Sequence, residues 1–178
     1  SPFHLTQRFA EHARERGANF RRETVRDIRA GEAGKRIVET EAGAHSFDAV
    51  VLAAGVRSGK LAKKLGSKVL LDAERGYHVM MDHPERSVTR YVQSVERKFA
   101  LAPHREGLRL TSIVELASPD APPDYRRVRR LLPHAARILP GLDPTERSIW
   151  MGARPSAPDN VPVIGRAPKL SQVYFAYG

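Results

Sequence analysis

Apolar positions first recur at helical spacing. Leu5, Phe9, His12 and Ala13 share one face of the stretch from about Leu5 to Arg16, which predicts a helix, with Gly17 placed to end it in the left-handed conformation. Asn19 to Arg22 and Thr24 to Ala30 read as short strands, followed by Lys35 to Thr40 and a turn at Glu41-Ala42-Gly43-Ala44. The strongest local signal is the run Phe47-Asp48-Ala49-Val50-Val51-Leu52-Ala53-Ala54-Gly55, apolar at every position but Asp48. A run of this kind predicts a strand buried on both faces of a parallel sheet. It ends on small residues, and Ser58 then predicts the N-cap of a helix through Leu65 that Gly66 closes. Strand, small-residue loop and helix in this order present a nucleotide site in α/β folds; tight helix-on-strand packing with no ligand explains the same residues equally well.

The middle of the chain changes character. Lys68 to Leu71, Gly76 to Met81, Ser87 to Gln93, Lys98 to Pro103 and Leu108 to Leu116 read as strands separated by turns such as Asp82-His83-Pro84 and Arg105-Glu106-Gly107. No helical pattern intervenes, so an antiparallel or mixed sheet is expected. After the break at Ser118-Pro119-Asp120-Ala121-Pro122-Pro123, a helix from about Asp124 to Leu139 gathers Val128, Leu131, Leu132, Ala135, Ile138 and Leu139 on one face. Pro133 should kink it or divide it. Trp150 to Gly165 carries three prolines, Pro155, Pro158 and Pro162, predicting a stiff extended loop that holds Arg154 in a fixed place. Val173 to Tyr177 reads as a buried strand. Both ends of the pattern are abrupt, as in a segment of a longer protein.

Composition narrows the chemistry. The 178 residues include no cysteine, which excludes disulfides, thiolate metal sites and cysteine nucleophiles. Thirty Lys and Arg against twenty Asp and Glu give a net charge of +10, which invites a nucleic-acid reading. The basic residues are scattered and no nucleic-acid motif accompanies them, so no such partner is expected. The arginines on the 124–139 helix (Arg126, Arg127, Arg130 and Arg137) read as a solvated face. The seven histidines are dispersed without metal-ligand spacing. No G-x-S-x-G, P-loop or G-x-G-x-x-G string is present. An arginine on a rigid segment, a nucleotide-type strand end and the tyrosine of Arg75-Gly76-Tyr77-His78-Val79 suit a protein whose reactive part is a cofactor.

Four stretches, in order, give these features a family. They are Phe47 to Gly55; Arg75 to Val79; Gly107-Leu108-Arg109-Leu110 leading into Val114-Glu115-Leu116; and Met151-Gly152-Ala153-Arg154-Pro155 with Pro158-Asp159 and Pro162-Val163-Ile164-Gly165. Together they resemble the flavin-dependent amine and amino-acid oxidoreductases of the D-amino-acid oxidase superfamily, especially its bacterial D-amino acid dehydrogenase and glycine oxidase branch. The resemblance implies a mixed α/β and α+β architecture. Residues 1–66 would be the second half of a Rossmann-like FAD-binding domain. Residues 67–149 would be a substrate domain with a mixed or antiparallel sheet and covering helices, and 150–178 a return into the first domain. Arg57 stands where a tryptophan is common in the family.

The resemblance also implies roles. Arg154 would grip the substrate carboxylate, and Tyr77 would donate to the same carboxylate or else be a core tyrosine. Val25 would lie beside the adenine, Ala53, Ala54 and Gly55 against the adenosine and pyrophosphate of FAD, and Ile164 and Gly165 close to the flavin. No side chain is assigned as a catalytic base and no residue as a metal ligand. Arg109 and Glu115 have no assigned role and read as a salt-bridged sheet face. The implied function is oxidation of a D-amino acid or small amine by hydride transfer to FAD, with oxygen or a quinone as acceptor. The location would be the cytoplasm, or the inner membrane surface for a quinone acceptor. As an internal fragment, the chain would be inactive and bind FAD weakly or not at all. The competing reading is a non-catalytic basic module for nucleic acid or an anionic surface.

Overall fold

The computed structural model describes residues 2–83 and 88–178. Pro84 of an expected turn and Ser87 at an expected strand start lie outside them. Helix α1 (Pro2–Glu15) ends at Gly17, whose φ of +88° is the left-handed stop that its position predicts. Strands β1 (Val25–Ala30), β2 (Arg36–Thr40) and β3 (Ala44–Phe47) form an antiparallel three-stranded sheet. Asn19–Arg22 is irregular rather than a strand. Next come β4 (Val50–Leu52), a short 3-10 turn, and α2 (Ser58–Lys64).

The long strands follow: β5 (Asp72–Met81), β6 (Val92–Ser94), β7 (Phe99–His104) and β8 (Gly107–Leu116). The expected strand at Lys68–Leu71 does not form, and Leu70 is exposed. The expected 124–139 helix is divided into α3 (Arg126–Arg129) and α4 (Leu132–Ile138), with Pro133 near the start of the second piece. There its missing N–H costs no hydrogen bond. Strand β9 (Ser148–Ser156), then β10 (Val163–Arg166) and β11 (Val173–Tyr177), complete the chain. No described helix is long and apolar enough to cross a membrane.

The largest sheet is antiparallel, in the order β6-β7-β8-β5-β9. Alternation along its strands sends Tyr77, Val79, Met81, Phe99, Leu101, Leu108 and Leu110 to one face, where Val128 and Ala135 of the two short helices cover them. Arg154 therefore lies on a strand, not in a loop. Pro155 is tolerated there because β9 is an edge strand with no neighbour on its outer side. The pairing of β9 with β5 runs through Ser156, so the chain leaves this sheet after Ser156 rather than at residue 150.

The smaller sheet has the order β10-β11-β4, with β4 and β11 parallel. Leu52, Val173, Phe175 and Tyr177 pack with Ala62 and Leu65 of α2 and Ile28 of β1. Arg36 fastens β2 to the turn before β11, donating from Nε to the Ser171 carbonyl (2.5 Å) and from Nη2 to the Ser171 hydroxyl (2.7 Å). The strand expected to be buried on both faces is covered on only one. Val51 is 61% exposed and Ile164 is 79% exposed, because the core lies entirely on the α2 side.

Candidate functional site

The sheet face opposite the α3–α4 core holds the candidate chemistry. Register decides which residues reach it. Glu74 pairs with Arg154, Gly76 with Gly152 and His78 with Trp150, so these six residues share one face. Gly76 and Gly152 sit opposite each other and make a floor without side chains. A Cβ on Gly76 would stand 2.6 Å from Nη2 and 2.9 Å from Cζ of Arg154, and one on Gly152 would collide with the Trp150 ring. The guanidinium and the indole therefore lie flat over the two glycines. Trp150 also packs against His78 with ring centroids 5.1 Å apart. Among the described residues Arg154 makes no hydrogen bond or ion pair. A planar guanidinium held on a fixed floor with its donors free is suited to binding a carboxylate bidentately.

Gly76→Ala is expected to push this guanidinium aside and weaken binding of a carboxylate ligand by about tenfold, the worth of one charge-assisted hydrogen bond. The melting temperature should barely change, because only the far end of a flexible side chain must yield. Calorimetric titration with a 2-keto acid, paired with a thermal melt, checks both halves.

Tyr77 is not brought to Arg154. It lies on the opposite face, 3% exposed, within the core. Its hydroxyl donates to Glu115 Oε2 (2.5 Å) and accepts from Arg75 Nη2 (2.9 Å) and the Asp124 backbone N–H (3.3 Å). Burial, and next the Glu115 carboxylate, push the phenol above its ordinary pKa, so it stays a protonated donor. The expected shared grip on one carboxylate is thus corrected by strand alternation: the hydroxyl is committed elsewhere.

The same alternation separates Arg109 from Glu115. A regular strand would put two odd-numbered residues on one face. Gly76 pairs with Val114, yet Tyr77 pairs with Ser112, so β8 carries one extra residue there. This bulge reverses the facing of everything beyond it. Glu115 enters the core, with Oε2 3.2 Å from Arg75 Nε in an ion pair that lacks hydrogen-bond alignment. Arg109 emerges on the open face. It lines a cavity of about 690 Å³ with His78, Met80, His104, Glu106 and Trp150. Burial, then the Arg109 charge, lower the pKa of both His78 and His104, so both imidazoles are neutral at pH 7.

The residues expected near the cofactor gather around β4. Val25 and Ala54 line one cavity of about 600 Å³ with Arg26, Arg57, Lys60 and Lys64. The Ala53-Ala54-Gly55 turn that follows β4 is built from small side chains. Gly55 has φ +54° with nothing near the position of a Cβ. Ser58 is not the helix N-cap. Fully buried in the first turn of α2, it accepts the Ala54 N–H at its Oγ (3.0 Å) and pins the loop. Ile164 and Gly165 are on β10. Gly165 pairs with Phe175, and Phe175 pairs with Leu52, which puts β10 at the same sheet end as the loop, two strands away. Arg57 pairs with Asp120 (2.7 Å) across to the 118–123 segment. A concave, basic, small-residue cradle at the carboxyl end of a parallel strand fits the adenosine diphosphate part of FAD.

His78, Trp150 and the glycine pair went unread in the sequence. Two glycines two positions before or after a large polar or aromatic residue on neighbouring strands, Gly76 with His78 and Gly152 with Trp150 and Arg154, were the available signal.

Comparison with known proteins identifies the family and the fold. The family described as DAO, FAD dependent oxidoreductase, matches residues 1–178. A D-amino-acid oxidase of Bradyrhizobium diazoefficiens is 34% identical over 95% of this chain and 41% of its own length. A D-amino acid dehydrogenase of Rhizobium rhizogenes is 30% identical over 99% of this chain and 43% of its own. The chain thus spans less than half the length of these curated relatives. In fold it is similar to glycine oxidase from Bacillus cereus, with a TM-score of 0.82 at 24% identity, over 98% of this chain and 48% of that one. The chain belongs to the DAO family of FAD-dependent oxidoreductases.

Proposed function

We propose that this chain supplies the substrate carboxylate site and part of the FAD cradle of an amino-acid oxidoreductase. The observation that carries the reading is Arg154: an arginine with free donors, laid on a two-glycine floor, on the open face of the large sheet. The family match over the whole chain favours this reading over a basic binding module.

Val25, Ala53, Ala54 and Gly55 would hold the adenosine end of FAD, and Ile164 and Gly165 would lie toward the flavin. When bound, the flavin supplies the chemistry of accepting a hydride from the substrate Cα. The side chains here do the remaining work. Arg154 binds the α-carboxylate through two parallel N–H···O bonds and so fixes which way the Cα–H points. Trp150 and His78 form an apolar wall beside it, which displaces water from the bound substrate. His78, its pKa lowered by burial and next by the Arg109 charge, is neutral near pH 7 and adds no charge beside the substrate amine. With Tyr77 turned to the core, no acid or base on this face is needed beyond an amine that enters deprotonated. The electrons leave to oxygen or to a quinone, and oxygen uptake separates the two acceptors.

The test is anaerobic reduction of the flavin-loaded protein, expressed from its full reading frame, by a panel of D-amino acids and small amines. Bleaching of the flavin by at least one amino acid is the expected result. A flavin that no amine reduces, or a protein that binds duplex DNA with a steep salt dependence instead, would overturn the reading.

A further inference from the structure

The open face of the large sheet carries a second arginine that the proposed reaction does not use. Arg109 is flanked in sequence by Leu108 and Leu110, both fully buried on the other face, so its facing is fixed. Its Nε is buried and has no hydrogen-bond partner among the described residues. Such a group costs stability unless an acceptor arrives. The nearby carboxylate does not serve. Glu106 lines the same cavity, yet it makes no ion pair with Arg109 among the described residues, and its backbone carbonyl is taken by Arg147 Nη1 (2.8 Å). The cavity's other titratable groups, His78 and His104, are neutral. Arg109 is therefore the cavity's fixed positive charge.

Its place relative to Arg154 is set by the ladder. The Arg154 guanidinium lies over Gly76, and Arg109 is paired with Met80. Four residues of β5 separate the two levels, about 13 Å at the usual rise per residue. Arg109 reaches into that interval, since its charge acts on His78 midway along it, and a charge-assisted contact of ~2.8 Å at each guanidinium shortens it further. A short dicarboxylic chain spans that gap. Its middle would cross His78 and Trp150, which pack together between the two arginines.

We propose that Arg109 selects the substrate side chain, and that this side chain ends in a carboxylate, making the preferred substrate a short dicarboxylic amino acid. The inference rests on Arg154 holding the α-carboxylate, and the experiment keeps the two apart. Glutarate and butyrate are titrated calorimetrically into the flavin-loaded protein, its Arg109→Gln and Arg109→Lys variants, with kcat/KM for D-glutamate and D-norvaline alongside. Glutarate is expected to bind about ten- to a hundredfold more tightly than butyrate, the worth of a hydrogen bond to a charged group. Arg109→Gln should erase that ratio without changing butyrate affinity, and Arg109→Lys should restore part of it. The kinetic preference for D-glutamate should move in parallel. Equal affinities for the two acids in the unaltered protein, or a ratio that survives Arg109→Gln, overturns the role of Arg109 while leaving Arg154 intact. If neither acid binds, the reading of Arg154 fails, and this one with it.

Discussion

Replacing Arg154 by alanine is expected to lower kcat/KM for an amino acid on the order of a hundredfold, two charge-assisted hydrogen bonds being lost at once. Most of the loss should appear in KM, because the guanidinium holds the carboxylate in ground state and transition state alike. Arg154→Lys should recover only part, since an ammonium keeps the charge without the planar fork. Oxidation of a small amine without a carboxylate supplies the control: its kcat/KM should not fall. Steady-state kinetics on the flavin-loaded protein decide the matter, and an unaltered kcat/KM for the amino acid removes Arg154 from the site. The expectation follows from the structure because, among the described residues, nothing else competes for the guanidinium. It lies on Gly76 and makes no ion pair with Glu74, its partner across the ladder, among the described residues.

The second large effect is on stability, on the other face of the same strand. Arg75 is 1% exposed. Its guanidinium donates to the carbonyls of Ser118 (3.1 Å), Ala121 (3.0 Å) and Pro122 (3.0 Å) and to the Tyr77 hydroxyl, and it faces Glu115. It thereby fastens the proline-rich connection before α3 to the sheet. Arg75→Met takes a donor from three carbonyls and the counter-charge from the largely buried Glu115 carboxylate. The expected cost is about 3–5 kcal/mol, the usual penalty for breaking a buried pair from one side. For a chain of this size that lowers the melting temperature by about 10 °C. Glu115→Gln should cost clearly less, because the amide oxygen still accepts the Tyr77 hydroxyl. Denaturant titration of the three proteins checks the order, and a loss below about 1 kcal/mol for Arg75→Met would show that the network contributes little.

These two arginines show where the sequence could be read and where it could not. Arg154 was singled out because it sits in a G-x-R-P string followed by P-D and P-x-I-G, a pattern that marks the residue and leaves its role to be tested. Val25 was singled out by the family resemblance alone, and the Ala53-Ala54-Gly55 turn by small residues after an apolar strand, a pattern that tight packing without a ligand fits equally well. The facing of side chains in the large sheet was not legible. Tyr77 had two readings, a second grip on the carboxylate or a core tyrosine, and the pairing of Glu74 with Arg154 and of Tyr77 with Met151, which puts them on opposite faces, selects the core tyrosine. No local composition marks the extra residue in β8, and that residue alone decides that Glu115 is buried while Arg109 faces the cavity. Trp150 to Gly165 read as a loop because Pro155, Pro158 and Pro162 signal one, whereas the edge strand that runs to Ser156 accepts Pro155. Val51 read as buried because apolar runs usually are, but only one side of β4 meets the core. Charge proved the weakest guide: of the thirty basic residues, the net excess says nothing about which two have free donors over one sheet face.

The central claim is that the open face of the large sheet binds a substrate through its carboxylate at Arg154. It is tested most directly by the rate of anaerobic flavin reduction with an amino acid and with its primary amide, which differ only in the group Arg154 would bind. Reduction is predicted to be on the order of a hundredfold faster with the acid, and equally slow with both compounds in Arg154→Ala. Equal rates for acid and amide in the unaltered protein, or a preference for the acid that persists in Arg154→Ala, would contradict it.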